Sequence, residues 1–321
     1  MSVTEKSDFR NRRLLLLRLL DYGNATKQNL VQWTGLSNTT VSDAINAMLG
    51  TGFVRADGMQ KSIGGRRSVI YSINEEYGQF AGVEMWGRGA RITICDARGR
   101  IQSHFQVLRR SDELSINLLY RAIDTLLERS EATNVLALGI GVEGQIDYSS
   151  QTVLRSNSLG WKNVPLKEIV ERRIYLPVFI DSTINGQISL RKYMQGADCP
   201  AHFLILNDRF PYKAALCLDG HVCRGHANQC GAADGFSILV QQINNISGLL
   251  GLDQVWVACQ RKSQMKEVER VLSRGDRISV GVYLSDPAEL AWGMALDAET
   301  RWFGTIYSYA KNPIYHQQDS P

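Results

Sequence analysis

Long apolar runs are absent from this sequence, and none comes near the roughly 18 residues that a membrane-spanning helix requires. The nearest approach, "LLLLRLL" from Leu14 to Leu20, is interrupted by Arg18, preceded by Arg12 and Arg13, and followed by Asp21, Tyr22 and Gly23. A secretory signal would end in small residues there, so the run reads as an amphipathic or buried helix of a cytoplasmic protein with no membrane partner. Thiols are scarce as well. The six cysteines, at positions 95, 199, 217, 223, 230 and 259, follow no repeating spacing, which excludes the disulfide framework of a small secreted domain and fits reduced thiols. Strong net charge is also lacking: 36 Lys and Arg against 32 Asp and Glu leave +4 over 321 residues. A total that small implies neither nucleic-acid nor membrane binding, and any such role has to come from local clustering. At this length two or three domains can each bury a core.

Local clustering is what the opening segment, residues 1–78, shows. The Leu14–Leu20 helix ends at Gly23, and Thr26 can cap a second helix that carries Leu30, Val31 and Trp33 and stops at Gly35. In "GLSNTTVSDAINAML", Gly35 permits a tight turn, Leu36 packs between helices, and Ser37 caps a third helix. On that helix Val41, Ala44, Ile45 and Met48 share one face, while Thr39, Ser42, Asp43 and Asn46 point away. After Gly52, "FVRAD" and "SVIYSIN" alternate as strands around "GMQKSIGGRR", so Lys61, Arg66 and Arg67 sit at a hairpin tip, with Arg55 at its base and only Asp57 opposing them. Helices followed by a basic hairpin make a winged helix-turn-helix, whose third helix can enter a major groove while wing arginines reach phosphates or the minor groove. The residues assigned to DNA are therefore Asn38, Thr39, Thr40, Ser42 and Asp43 on the helix, with Lys61, Arg66 and Arg67 on the wing. Asp43 is the awkward member, because a carboxylate repels phosphate; it either accepts from a cytosine amino group or orients a neighbour. Winged helices also serve as protein-interaction modules, but charge concentrated in the wing beside hydroxyl and amide side chains favours DNA.

From Gln79 the pattern changes to strands alternating with helices: "FAGVEMWG", "RITICDARGRI", "IQSHFQVLRR", a helix near Ile116 to Arg129, and "VLALGIGVEGQID". A second set follows: "PVFIDSTING", a helix to Met194, "HFLILND", "KAALCLDGHVC", a helix over Ser237 to Leu250, "DQVWVAC", and a last helix within Ala288 to Tyr309. A strand meander leading into strand and helix alternation, occurring twice, indicates a duplicated α/β domain with a cleft between its lobes. The expected division is a first lobe over 79–197, with a C-terminal helix of about 301–321 returning to it, and a second lobe over 198–300 used for effector binding and dimerisation.

In this order, "GIGVEGQID", "LRSNSLGW", "PLKEIVERRIYLPVFIDSTIN" and "DGHVCRGHANQCGAADG" resemble the motifs of the ROK family of sugar kinases and sugar-responsive repressors. The resemblance extends to the wing, where Gly65, Arg66 and Arg67 match the G-R-R of ROK repressors. It implies an α/β fold with an actin-like, sugar-kinase-like two-lobed ROK domain after the winged helix. It also implies a ligand site: Gly144 and Asn157 match family positions that contact sugar hydroxyls, and Asp181, Ser182 and Thr183 stand where the family has E-N-D. Taken alone, Asn157 reads equally well as a turn cap.

Several departures from the family pattern bear on activity. The final D of E-N-D is the catalytic base in the kinases, and Thr183 occupies it with a hydroxyl whose pKa is far too high for that task. The family's first phosphate loop, D-x-G-G-T, appears as "EMWGRGAR", with Trp86 and Arg88 intruding, and its second as "NDRFPYKAA", with Phe210, Pro211 and Tyr212. The glutamate and histidine of A-G-E-I-G-H are Ala232 and Gly235, Glu143 replaces a proline, and the cysteine segment that completes the family's zinc site is missing. The cluster Cys217, His221, Cys223, His226 and Cys230 lacks paired zinc spacing and falls on a hairpin, where alternate side chains face opposite ways. No cofactor, metal or catalytic residue is expected. The resulting expectation is a ROK-type regulator, a repressor, that forms a homodimer or higher homo-oligomer, binds double-stranded operator DNA and takes a small carbohydrate-like effector in the cleft. The alternatives are a ROK sugar kinase fused to a winged helix and a ligand-independent regulator.

Overall fold

The computed structural model describes residues 3–60, 67–209, 214–225, 230, 235–272 and 278–306. They divide into two units, one holding Met1–Tyr77 together with the chain from Glu299 onward, the other Gly78–Ala298.

In the first unit α1 (Val3–Tyr22), β1 (Asn24–Thr26), α2 (Lys27–Thr34), α3 (Asn38–Gly50), β2 (Val54–Met59) and β3 (Val69–Ile73) succeed one another, and the strands form a sheet in the order β1-β3-β2. Capping residues set the helix boundaries. The Thr26 side chain accepts from the Asn29 N–H while the Asn29 side chain answers the Thr26 N–H, and Gly35, at φ 70°, closes α2 in the left-handed region. Ser37 accepts from the Thr40 N–H at the start of α3. Leu15, Leu16 and Leu19 of α1, Leu30 of α2, and Val41, Ile45 and Met48 of α3 are buried. The leucine run is therefore an amphipathic core helix, with Arg18 turned out to Asp21 at 3.2 Å. Trp302 and Phe303 complete this core, their rings 6.0 and 6.2 Å from that of Phe53.

The second unit contains two five-stranded sheets of the same design. In the first, β4 (Gln79–Trp86), β5 (Gly89–Asp96) and β6 (Ile101–Leu108) form the meander, and β7 (Val135–Val142) and β11 (Val178–Ser182) extend it in parallel beyond β4. In the second, β12 (Phe203–Asn207), β13 (Ala214–Leu218) and β14 (His221–Cys223) form the meander, extended by β15 (Gln254–Cys259) and β16 (Ser279–Leu284). A small sheet of β8 (Gln145–Asp147), β9 (Thr152–Ser156) and β10 (Trp161–Val164) follows β7. Helices α4 (Ser115–Leu127) and α5 (Leu166–Ile174) cover the outer face of the first sheet. Helices α7 (Phe236–Gln241), α8 (Ile243–Leu250) and α9 (Lys262–Leu272) do the same for the second. Helices α6 (Thr183–Gln195) and α10 (Ala288–Ile306) pack against the inner faces.

Strand alternation explains the layering. Ala81, Val83 and Met85 face α4, whereas Gly82 and its register partner Gly139 face α10. A Cβ at Gly82 would lie 1.9 Å from the Ala291 carbonyl oxygen, and one at Gly139 2.1 Å from that of Met294. Helix and sheet meet backbone to backbone, which glycine alone allows.

Three expectations need correction. The last helix begins at Ala288, and it is Ala291 to Ala298 that lie on the first sheet; from Glu299 the chain belongs with the N-terminal unit. The helix read over 237–250 is two, because Gln242 leaves helical geometry at φ −97°, ψ 5°. The element order expected for the second lobe omits helix α9 and strand β16, although Gly275 and Asp276 stand between them in the sequence.

The glycine contacts yield a direct test. Gly82→Ala should lower unfolding free energy by about 3 kcal/mol or more, whereas Gly248→Ala, on α8 with open space around its Cβ, should raise it by about 0.5–1 kcal/mol. Urea titrations of both variants measure the contrast.

Candidate functional site

Parallel strands place their carboxyl ends on one edge of a sheet, and the residues expected to hold a ligand lie there. Glu84, Gly141 and Asp181 lie side by side across β4, β7 and β11. By alternation all three point to the inner face, toward α6 and α10. Thr183, the first residue of α6, sits over Gly141, with its Oγ1 2.9 Å from where a Cβ of Gly141 would be.

Asp181 is fully buried and heavily engaged. Its Oδ1 accepts from the Ser182 N–H at 2.7 Å and from Asn185 Nδ2 at 2.8 Å, and its Oδ2 accepts from Arg224 Nε at 2.8 Å and Nη2 at 2.6 Å. Arg224 follows β14 in the other lobe, and its guanidinium lies 4.0 Å above the Tyr148 ring. Burial opposes the charge on Arg224, but Asp181, Asp297 and Tyr148 outweigh it and hold its pKa above the ordinary value. Ser182 and Thr183 are buried too, and Thr183 Oγ1 has no hydrogen-bond partner among the described residues. Gly144, at φ 151°, brings the chain after β7 against Arg155 and Ser156, where a Cβ would meet the Arg155 carbonyl oxygen at 2.2 Å. Asn157 is exposed, and its side-chain oxygen accepts from Arg155 Nε at 2.9 Å. The structure thus gathers Asp181, Ser182 and Thr183 at one strand end, with Gly144 in the β7–β8 turn and Asn157 in the β9–β10 turn beside it.

Sequence reasoning passed over a second set of charges. Glu84 is fully buried and accepts from Arg91 Nη1 at 2.5 Å, while the Arg91 guanidinium stacks 3.8 Å over Trp86. Residues 87 and 88 form the tight connection between β4 and β5, whose two carbonyls accept from Arg109. Side chains fill what the family motif would leave as a glycine cradle. Arg209, near the second loop position, is half-buried; burial and Arg91 push its pKa down, against Glu84, Glu143 and Asp286. Phe210, Pro211 and Tyr212 lie outside the described residues. The sequence signal for this network was Trp86, bulky where the family motif has glycine, two residues after the acidic Glu84.

The cysteine cluster is divided by its hairpin. Asp219 and Gly220, both at positive φ (50° and 72°), make the turn between β13 and β14. Cys217 packs with Phe203 and Ile205 on the α6 side, whereas Cys223 and Cys230 pack with Leu204 and Leu216 on the opposite face. Burial pushes the Cys217 thiol up to about 11. His221 is exposed, His226 lies outside the described residues, and among the described residues no three His, Cys, Asp or Glu side chains converge as a metal site.

On the N-terminal unit, Asn38, Thr39 and Asp43 are exposed on α3, and Thr40 and Ser42 are half-buried, Thr40 bonding Ser37. Arg67 is exposed; Lys61 and Arg66 lie outside the described residues. Arg55 meets Asp57 at 3.2 Å and Glu75 at 2.7 Å, so Asp57 is not the lone acid opposing the basic hairpin.

Glu84 predicts a pH dependence. Burial, reinforced by Glu143 and opposed by Arg91 and Arg209, raises its pKa from 4.5 to about 7. The folded protein holds a proton there that the unfolded chain has released, so this contribution to stability is full below 4.5 and lost as pH rises through about 7. Between about pH 4.5 and pH 8 the wild type should lose roughly 3 kcal/mol relative to Glu84→Gln. Chemical denaturation of both proteins across that range reads the difference.

A family profile described as ROK family matches residues 80–206. A putative xylose repressor of Caldicellulosiruptor sp. strain Rt8B.4 is 28% identical over 220 residues, 67% of this chain and 55% of the relative. The xylose repressor of Caldicellulosiruptor bescii is 27% identical over 69% of this chain and 57% of its own length. The chain therefore spans little more than half the length of these relatives. Among solved structures, a ROK family transcriptional regulator homologous to the E. coli MLC protein superposes with a TM-score of 0.70 at 12% identity, over 94% of this chain and 99% of the other. A ROK family glucokinase from Streptomyces griseus gives 0.55 at 16% identity, over 69% of this chain and 99% of the kinase. At such identities the superpositions speak for the fold, an actin-like, sugar-kinase-like one. Together with the sequence matches, they show that residues 80–206 are similar to the ROK family and that the fold is shared with its solved members.

Proposed function

We propose that this protein is a DNA-binding transcriptional regulator, a repressor, whose two-lobed domain responds to a carbohydrate-like effector and no longer phosphorylates sugars. The observation that carries the reading is the division of labour on α3. Its apolar face is spent on the core, and its other face offers Asn38, Thr39 and Asp43 to solvent beside the hairpin that bears Arg67. We read residues 1–78 as a winged helix-turn-helix, with Thr40, Ser42, Lys61 and Arg66 completing its DNA surface. The repressor names of the relatives support this, and the xylose repressors among them point to a sugar effector. Loss of kinase chemistry is inferred from Thr183 at the position of the base and from Arg91, Trp86 and Glu84 filling the first phosphate-loop position. A homodimer suits the reading, because one small helix buries too little surface for specificity.

The rival reading, a sugar kinase joined to a DNA-binding module, draws on the ROK glucokinase among the structural relatives. Sugar-dependent ATP hydrolysis that Asp181→Ala abolishes would establish it; the regulator reading expects no ATP turnover with any hexose or amino sugar.

Selection from a random duplex library should yield an enriched, two-fold symmetric sequence. On that sequence Arg66→Ala combined with Arg67→Ala should weaken binding to all DNA and reduce the slope of log affinity against log salt by about 2. Asn38→Ala should cost about 1–3 kcal/mol on the selected sequence and less on unrelated DNA. A library that enriches nothing would remove the DNA-binding reading.

A further inference from the structure

The groups expected to meet a ligand are out of reach in this structure. Asp181, Ser182 and Thr183 are 0%, 6% and 1% exposed, and Thr183 Oγ1 is buried without a hydrogen-bond partner among the described residues. What covers this strand end from the other lobe includes Arg224, which crosses from the loop after β14 to Asp181 Oδ2 at 2.6 and 2.8 Å. The two sheets are also linked through α6 and α10. These helices touch where neither has a side chain: a Cβ on Gly293 would lie 2.5 Å from the Gly186 carbonyl oxygen, and one on Gly186 3.1 Å from the Gly293 carbonyl carbon. A buried charge pair across the lobes cannot part gradually. Separation takes the arginine's charge away from a buried carboxylate, although the Ser182 N–H and Asn185 bonds to Asp181 Oδ1 remain.

We propose that the Arg224–Asp181 pair is a latch between the lobes, that the structure is its closed state, and that Arg224 must leave Asp181 before a small molecule can reach Thr183. Arg224 is built for the role. Its stem rises from a tight hairpin, its backbone carbonyl accepts from the Cys230 N–H at 3.0 Å, and Tyr148 supports its guanidinium from the first lobe. Only the arginine has a solvent-facing edge, its side chain being 19% exposed against 0% for Asp181. The latch itself stands on the geometry of the two-lobed unit; only the statement that ligand entry uses it rests on the cleft reading above.

A thiol placed at the covered position tests this without any ligand. In the full-length chain Thr183→Cys is combined with Arg224→Ala, with Arg224→Lys, or with neither, and alkylation by iodoacetamide is followed site by site by mass spectrometry. With Arg224 in place Cys labelling at 183 should be slow, Arg224→Ala should speed it by about an order of magnitude, and Arg224→Lys should return most of the protection. Buried Cys95 and Cys259 should stay unlabelled in all three. Equal rates at position 183 with and without Arg224 would refute the latch. Labelling of Cys95 and Cys259 in step with position 183 would refute it too, since it would show that Arg224 merely stabilises the fold. Because iodoacetamide is the probe, a protein that binds no carbohydrate can still pass, and one that binds sugars can still fail.

Discussion

The organisation of the two-lobed unit depends on how closely α10 approaches the first sheet. Gly82 and Gly139 remove the two side chains that would hold the helix off, and the carbonyls of Ala291 and Met294 settle into the space. The contact gains dispersion energy over the whole interface and admits no compromise, since backbone cannot step aside as a flexible side chain can. It also sets how closely the strand ends are covered. With α10 seated low, Gly141 can lie under Thr183, and α6 can start at the end of β11 with Ser182 and Thr183 already enclosed. The glycine pair Gly186 and Gly293 repeats the device between α6 and α10.

Charge then decides what this enclosed space is fit for. A phosphoryl-transfer site needs backbone donors facing an anion and a free carboxylate to take a proton. Here Asp181 is bound to Arg224, and Glu84 is bound to Arg91 against Trp86. The space thus holds opposite charges already matched to one another. Such pairs contribute little net stability against a well-packed apolar alternative, and breaking one is costly. They suit a region that has to hold one arrangement or another.

Much of this could be read in the sequence where local chemistry decides the outcome. Thr26, Gly35 and Ser37 announced the boundaries of α2 and α3, and the period of Val41, Ala44, Ile45 and Met48 announced which face is buried. The duplicated meander was legible because strand alternation survives in both lobes. The Asp219–Gly220 turn showed in advance that Cys217 and Cys223 would part company. Illegible were relations between distant residues of no special spacing. Nothing local in "HVCRGH" says that Arg224 will reach Asp181, 43 residues earlier, or that Glu84 will find its partner across a hairpin in Arg91. Gln242 breaks a helix without being a breaker, and β16 lies in a stretch whose alternation is weak because its residues are only half-buried. Asp181, expected to bond a ligand, is engaged by an arginine that the motif comparison passed over.

The two aromatic residues near the end of α10 carry a consequence for the order of events during synthesis. Trp302 and Phe303 pack on Phe53, and Tyr77 stacks on the same ring at 4.1 Å. The N-terminal unit is therefore discontinuous in the chain, and part of its core is supplied by residues translated more than two hundred positions later. Domains whose segments are contiguous can fold as they leave the ribosome, first residues first. This one cannot finish that way: its three helices can form early, but the cluster around Phe53 stays open until the last helix has been made. The segment that precedes the two-lobed unit in the chain is completed after it, so a chain stalled before α10 lacks an intact N-terminal core.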